Sequence, residues 1–190
     1  MEAVTSASES AARRVLSEAF RNDPVMNWIC PGSAFVPTLF RLLTPLYSRQ
    51  GFAILTDEHT AATLWMSPGR DVHLGLSALP VALRVLSICG IAGLRRISQF
   101  ETASKRCKPE VPFYYLFAIG VVDQAKGQGV GSRILKHSLQ CCDARQTHAY
   151  LENSNPANLS FYQKHGFEVI GETTLGDEGP PVWFMLRQPR

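Results

Sequence analysis

The chain lacks the cysteine patterns that hold metal ions or staple small secreted domains. Its 190 residues include five cysteines, an odd number, and neither a C-x-x-C pair nor a metal-like His/Cys spacing occurs. We therefore expect no bound metal, and reduced, partly buried thiols in a reducing cytosol. The cysteines are Cys30, Cys89, Cys107, Cys141 and Cys142.

The chain also lacks a large excess of positive or negative charge. The net charge is +3 and the nineteen Lys and Arg residues are scattered, so the clustered basic face of a nucleic-acid-binding protein is missing. A hydrophobic content of 45% is ordinary for a globular protein, and 190 residues suit one domain with a large core. The composition therefore predicts a single globular domain without a nucleic-acid partner.

Long hydrophobic runs are limited to residues 74–94, where Arg84 is the only charged residue. These 21 residues are enough to span a bilayer. A charge near the centre costs about 2.5–3.5 kcal/mol on insertion scales, so we predict helices that are buried or face a ligand. Residues 1–20 carry several charges and no apolar core of a signal peptide, which favours a cytoplasmic location.

The first half of the chain mixes predicted helices with short strands. Apolar residues at helical spacing, Ala12, Val15, Leu16 and Phe20, predict an amphipathic helix. The further predictions are a strand within residues 1–5, a loop at 25–33, a helix at 35–50 kinked at Pro45, a hairpin of 52–56 with 61–67, and helices at 77–89 and 91–107.

Residues 113–133 are the most informative stretch. An apolar run of strand length at 113–122 leads through a polar turn into Gly127, Gly129 and Gly131, and a helical pattern follows at 132–145. The unpaired N–H groups and the dipole of a helix N-terminus attract anions, and glycine lets an anion approach the backbone. This stretch therefore predicts a phosphate-binding loop.

The end of the chain continues the alternation of strands and helices. The pattern predicts a strand at 149–153, a helix that starts within 154–157, continues to 165 and is closed by Gly166, and strands at 167–171 and 181–187. The order of elements predicts an α/β (α+β) sheet with helices on both faces.

Two motifs resemble those of the GNAT superfamily of N-acetyltransferases. Residues 126–131 resemble the loop motif R/Q-x-x-G-x-G/A, although Lys126 stands where the family has Arg or Gln. A second register from Gln124 fits the letters but places the helix start worse. Residues 155–167 resemble the motif N-x(6)-Y-x-x-x-G-F.

A narrower resemblance, to the puromycin N-acetyltransferases and their relatives, extends over nearly the whole chain. Its matching pieces are residues 16–20, 61–65, 151–154, 158–162, 178–180 and 183–185. The resemblance implies a single-domain GNAT-like fold with a mixed, mostly antiparallel sheet that is splayed at the cofactor site. It also implies an acceptor side in residues 1–112 and an acetyl-CoA-binding half in residues 113–190.

The implied reaction moves the acetyl group of acetyl-CoA to a primary amine of a small molecule. The amides of the glycine loop would hold the pyrophosphate, and a backbone N–H near the end of the central strand would bind the thioester oxygen. The residues implied to bind the cofactor are Val121, Val122, Lys126, Gly127, Gln128, Gly129, Val130, Gly131, Ser132, Asn155, Asn158 and Phe161.

The resemblance also implies catalytic side chains, and each has a structural alternative. Tyr162 stands at the position of the general acid, and its alternative is an aromatic packed beside Phe161. Glu152 is the candidate base, acting through water, and its alternative is a carboxylate at a sheet edge. Asn155 would bond the pantetheine arm, but it also suits a helix N-cap because Pro156 follows it.

The acceptor pocket is expected behind the helices of residues 74–100, with Trp28 and Trp65 in its lining. Such an apolar pocket suits a bulky or hydrophobic amine better than a charged polyamine. A dinucleotide-binding oxidoreductase is disfavoured because Ser132 replaces the third glycine of G-x-G-x-x-G. A non-catalytic acyl-CoA-binding module, a protein amine as acceptor, and a homodimer remain open alternatives.

Overall fold

The structure is a computed structural model that describes residues 1–32, 34–70 and 79–190. Its helices are α1 (Glu9–Ala19), α2 (Pro24–Ile29), α3 (Phe35–Gln50), α4 (Leu79–Cys107), α5 (Val130–Ala144) and α6 (Leu159–Lys164). Its strands are β1 (Glu2–Ala3), β2 (Gly51–Leu55), β3 (Ala61–Met66), β4 (Phe113–Val121), β5 (His148–Asn153), β6 (Glu168–Thr174) and β7 (Pro181–Arg187). Short 3-10 helices cover Asp123–Ala125 and Pro156–Asn158.

The strands form one sheet in the order β1-β2-β3-β4-β5-β7-β6. The pair of β4 with β5 is parallel, and the other pairs are antiparallel. Pairing of β4 with β5 ends at Leu116 and Leu151, although β4 continues to Val121. The two strands therefore diverge, and the predicted mixed, splayed sheet is confirmed.

A β-bulge lies in β4 next to this divergence. Trp65 pairs with Leu116 and its neighbour Leu64 pairs with Ala118, so Phe117 is an extra residue in β4. A bulge redirects the side chains that follow it. Tyr115 and Phe117 accordingly face the side of α3, where the ring of Phe117 stacks on Tyr47 at 4.7 Å.

Helices cover both faces of the sheet, as predicted. One hydrophobic cluster joins the sheet to α1, α2, α3 and α4 through residues such as Leu16, Ile29 and Phe40. A second cluster joins the other face to α5 and α6 through Leu135 and Tyr162. Within the described residues, no helix is long and apolar enough to cross a membrane.

The predicted loop at residues 25–33 is wrong, because α2 begins there at Pro24. The Asp23 carboxylate accepts the Met26 N–H at 2.9 Å, and Pro24 occupies the first helical position. An Asp-Pro pair that ends one helix can therefore begin another. The two helices predicted before β4 are the two parts of α4 on either side of Gly90, whose φ is 64°, and the start predicted at residue 77 lies outside the described residues.

The prediction of reduced thiols is wrong for two cysteines. Cys30, which follows α2, forms a disulfide with Cys89 of α4. A second link lies beside it, where the Arg96 guanidinium donates to the Trp28 carbonyl at 2.7 Å and lies over the Trp28 ring. Both links anchor α4 to α2. The other three cysteines are free thiols.

Candidate active site

The gap between β4 and β5 exposes backbone groups of β4. The free N–H was expected near Val121 or Val122, and the Val122 N–H is excluded because it donates to the Thr60 carbonyl at 2.9 Å. Bonded and non-bonded pairs alternate along an antiparallel ladder. Ala61 and Val121 are the next pair, so the Val121 N–H turns away from β3 toward the side that β5 has left. A free N–H at Val121 stays a prediction.

The glycine loop lies at the N-terminus of α5, as predicted. Gly127 and Gly129 have φ values of 76° and 74°, and Gly129 is the N-cap residue of α5. Side chains with a Cβ rarely adopt this conformation, so both positions favour glycine. The first N–H groups of α5 have no acceptor within the helix and suit an anion.

Lys126 is held at the entrance of this loop by an ion pair. Its Nζ lies 2.7 Å from an Asp123 carboxylate oxygen, and Arg21 lies 3.2 Å from the other oxygen. The hydrogen bond and charge of Lys126 lower the pKa of Asp123, with a smaller contribution from Arg21. Two cations therefore share the Asp123 carboxylate here, and the Asp123 N–H donates to a second carboxylate, that of Glu18, at 3.0 Å.

Ser132 lies in the first turn of α5 and contacts α6. Its Oγ is 2.9 Å from Nε2 of His165, and Nδ1 of His165 is 2.8 Å from the Phe161 carbonyl oxygen. The Phe161 ring packs on the His165 ring with their centroids 4.9 Å apart. The glycine loop is thus joined to the helix that carries Tyr162.

Tyr162 is buried on α6. Its position is compatible with both roles considered for it, a general acid and an aromatic residue packed beside Phe161. Its ring packs edge-on against Phe161 and Phe167, with centroid distances of 5.2 and 5.9 Å. Burial raises the pKa of the Tyr162 hydroxyl, and the nearby charge of Asp23 raises it further. A neutral phenol is the form that a general acid needs.

Asn155 takes the capping role that was left open. Its side-chain oxygen accepts the Ala157 N–H at 3.0 Å at the start of the 3-10 helix. The amide NH₂ group of Asn155 and the side chain of the exposed Asn158 can still form hydrogen bonds with a pantetheine arm. That contact stays a prediction.

Glu152 lies at the end of β5, on the face opposite to Tyr162. Its carboxylate accepts hydrogen bonds from Ser104, from Tyr115 at 3.0 Å and from Tyr150 at 3.2 Å. Burial raises the pKa of Glu152, and these three hydroxyl groups and the charge of Lys108 oppose the rise. Glu152 is therefore a partly buried acid that lines a cavity. The alternative of a carboxylate at a sheet edge is wrong, because β5 lies between β4 and β7. The role of base stays a prediction.

The cavity has a volume of about 740 Å³ and lies between α3, α4, β4 and β5. Six of the eighteen lining residues are aromatic and six are charged, Glu152 among them. The aromatic residues in the lining are Tyr47, Phe100, Phe113, Tyr115, Phe117 and Tyr150.

The two tryptophans predicted to line the pocket lie elsewhere. Trp65 is completely buried in the cluster beneath α5, and Trp28 packs under Arg96. That prediction is wrong because the pattern of apolar residues does not distinguish a core side chain from a pocket side chain.

The family model "Acetyltransferase (GNAT) domain" matches residues 81–169. Among curated proteins, the 5-NmdU N-acetyltransferase of Pseudomonas phage PaMx11 is 35% identical over 74 residues, which are 39% of this chain and 52% of that protein. The chain spans about half, or less, of the length of the curated relatives it matches.

Solved structures match the whole chain. The "histone acetyltransferase HPA2 and related acetyltransferase" from Corynebacterium glutamicum superposes on 100% of this chain and 95% of its own, with a TM-score of 0.74 and 28% identity. The protein has the GNAT acetyltransferase fold. Arylalkylamine N-acetyltransferase 2 from Aedes aegypti covers 100% of this chain and 98% of its own, with a TM-score of 0.68 and 10% identity, and shows the fold alone.

This GNAT fold brings a residue to the site that the sequence analysis missed. One carboxylate oxygen of Asp23 caps α2, and the other accepts the Ser154 hydroxyl at 2.9 Å, directly after β5. Burial raises the pKa of Asp23, against hydrogen bonds from Met26, Ser154 and Val25. Asp-Pro is a recognisable helix start, but its contact with Ser154, 131 residues away, has no signal in the sequence.

Proposed function

We propose that this GNAT-fold protein is an acetyl-CoA-dependent N-acetyltransferase whose acceptor is a primary amine of a small hydrophobic molecule. The observation that carries the proposal is the gap between β4 and β5, which has an amide-rich glycine loop at one end and an aromatic cavity with a buried carboxylate at the other. Residues 113–190 then form the cofactor half, and residues 1–112 supply most of the acceptor side.

The residues at the loop fit the pyrophosphate of acetyl-CoA. The N–H groups of residues 127–132 donate to it, and Lys126 and Arg21 add positive charge beside them. When bound, acetyl-CoA supplies an activated acetyl thioester. The Val121 N–H then donates to the thioester oxygen, and the Tyr162 hydroxyl protonates the leaving sulfur.

Two carboxylates compete for the role of base. The amine and the sulfur become bonded to the same carbon during the reaction, so the base and the acid must lie close together. The charge of Asp23 acts on Tyr162, whereas the charge of Glu152 acts on Tyr47, Tyr115 and Tyr150. We therefore favour Asp23 as the base, and we assign Glu152 to binding of the acceptor molecule in the cavity.

The acceptor class follows from the cavity walls. Six aromatic side chains suit an aromatic or otherwise apolar amine, because stacking and cation–π contacts stabilise it there. The narrower likeness to the puromycin N-acetyltransferases would place a bulky aminonucleoside in this class. Lysine side chains and protein N-termini form a second candidate class, favoured by the similarity to the histone acetyltransferase structure.

The test is a thiol-release assay with acetyl-CoA and a panel of amines. The panel contains an arylalkylamine, puromycin, a polyamine and a lysine peptide. We expect turnover with an apolar amine and a loss of roughly 10²–10⁴-fold in kcat for Tyr162→Phe. Binding of acetyl-CoA without turnover of any amine would instead indicate a non-catalytic acyl-CoA-binding module.

A cytoplasmic location remains a prediction. Disulfides are rare in the reducing cytosol, so the Cys30–Cys89 bond weighs against it.

A further inference from the structure

We propose that His165 couples occupation of the glycine loop to the uptake of one proton, acting through the hydroxyl of Ser132. This inference rests on the proposed function, in which the loop binds a pyrophosphate. His165 would act as a positioning residue, because it contacts Ser132 and not the anion itself.

The contacts of His165 determine which of its nitrogens carries a proton. Nδ1 lies 2.8 Å from the Phe161 carbonyl oxygen, which can only accept, so Nδ1 must be protonated. In the neutral ring, Nε2 is therefore an acceptor. At 2.9 Å from Ser132 Oγ, it takes the hydroxyl proton.

In that state Ser132 has no proton left for an anion at the loop. Phosphate oxygens accept hydrogen bonds and cannot donate at neutral pH, so they would face only the lone pairs of Ser132. Protonation of Nε2 reverses the bond: Nε2–H donates to Ser132 Oγ, and the hydroxyl proton becomes available to the phosphate. One proton is taken from solvent, and no covalent bond changes.

The surroundings of His165 hold its imidazole ring in this orientation. Its side chain is only 7% exposed, the Phe161 ring packs on it, and its own carbonyl accepts a hydrogen bond from Arg187 at 3.0 Å. Both ring nitrogens therefore keep their present partners.

Charged groups lie around His165 on the elements packed against it. Arg187 of β7 is paired with Asp143 of α5, and Lys164 precedes His165 in α6. Arg190 lies beside Gly166, and Arg133 follows Ser132 in α5. Cations outnumber the carboxylate among these groups, and an anion at the loop would add a negative charge beside them.

Binding and protonation are then linked in both directions. An anion that binds the protonated state better raises the proton affinity of His165, and protonation raises the affinity for the anion by the same factor. The loop would then hold its ligand more tightly as the pH falls.

The experiment is calorimetry with dephospho-CoA in buffers that differ in ionisation enthalpy, at mildly alkaline pH. Dephospho-CoA keeps the pyrophosphate but lacks the 3′-phosphate, which titrates near neutrality itself. The slope of the observed enthalpy against the buffer enthalpy counts the protons taken up. We expect net uptake by the wild-type protein, none by His165→Gln or Ser132→Ala, and retained uptake by Ser132→Thr, which keeps the hydroxyl.

A matched control is His137→Gln, which removes an exposed histidine from the outer face of α5 and should leave the uptake unchanged. His165→Gln should also raise the KM for acetyl-CoA about tenfold, as expected for a lost charge-assisted hydrogen bond, without changing kcat.

Two results would overturn the coupling: wild-type binding without proton uptake, or uptake that persists in both His165→Gln and Ser132→Ala. Ser132→Ala leaves His165 in place, so it keeps the test valid even where His165→Gln does not fold. Failure of the wild-type protein to bind dephospho-CoA is a different outcome, because it would overturn the phosphate-binding role of the loop and the coupling with it.

Discussion

The two ends of the gap between β4 and β5 are built in different ways. At the loop end, the groups proposed to bind the cofactor are backbone amides of six consecutive residues, 127–132, whose conformation depends on glycines at fixed positions. At the cavity end, they are side chains from α3, α4, β4 and β5, which lie far apart in the sequence. Binding by backbone amides depends little on the side chains of the loop. Binding in a cavity depends on its side chains, so a change of one wall residue can change the preferred ligand. One end can therefore keep a common cofactor while the other diverges between relatives.

The most demanding test of this comparison concerns the two carboxylates. We expect Asp23→Asn to lower kcat by about 10²–10⁴-fold, because asparagine cannot accept the amine proton but still caps α2. Glu152→Gln should mainly raise the KM for the amine. Steady-state kinetics with a fixed amine distinguish the two effects, and the opposite pattern would assign the base role to Glu152.

The pH profile gives the same comparison a second readout. A base works in its ionised form, and burial raises the pKa of Asp23. The acidic limb of kcat/KM should therefore lie at a higher pH than for an ordinary carboxylic acid, with activity lost as the pH falls through it. The acidic limb should disappear in Asp23→Asn. In Ser154→Ala it should persist at a different pH, because Asp23 loses the hydrogen bond from Ser154.

Removal of the disulfide should affect the cavity end of the gap and leave the loop end unchanged. The bond joins residues 59 positions apart, so the double variant Cys30→Ser/Cys89→Ser should lose about 4 kcal/mol of unfolding free energy by the chain-entropy relation. Because the bond anchors α4, the KM for the amine should rise while the KM for acetyl-CoA stays constant. Denaturant melts and kinetics measure both. The control is Cys107→Ser, a free thiol at the end of the same helix.

The loop end has its own anchor in the ion pair of Asp143 with Arg187. Two contacts of 2.7 and 2.9 Å join them, and Arg187 is only 5% exposed. Asp143→Asn should cost about 2–3 kcal/mol of unfolding free energy, because it leaves a buried guanidinium without its counter-charge. The exposed Asp57→Asn is the control, and an equal loss there would argue against a special role for Asp143.

The same pair predicts how stability depends on pH. Hydrogen bonding to Arg187 lowers the pKa of Asp143 in the folded protein. The stabilisation is complete above the carboxyl pKa of the unfolded chain and is lost as the pH falls through the lowered value. Urea melts across the acidic range should show this loss in the wild type and little of it in Asp143→Asn.

The smallest expected effect concerns a single wall residue of the cavity. Phe100→Ala enlarges the acceptor side, and we expect kcat/KM for an aromatic amine to fall about tenfold while bulkier amines improve. The KM for acetyl-CoA should not change. A loss that is equal for all amines would mean that Phe100 supports the fold and does not select the acceptor.

Much of the fold and of the loop end is readable from the sequence, because local patterns control them. The alternation of β4, the glycines before α5 and the amphipathic spacing of α1 act over a few residues, and the predicted elements agree with the structure there. The errors lie where one local signal has two meanings. Asp23-Pro24 both ends α1 and begins α2, and the apolar spacing around Trp65 fits a core as well as a pocket.

By itself, the sequence determined the alternation of strands and helices and a glycine loop at the start of α5, since side-chain periodicity and glycine conformations are local properties. Only the tertiary structure decided that Asp23 meets Ser154, that Cys30 bonds to Cys89, and that Glu152 is enclosed by the hydroxyls of α4, β4 and β5. Those contacts join residues separated by tens of positions. Their formation depends on how the helices pack across the sheet, and no short-range pattern encodes that packing.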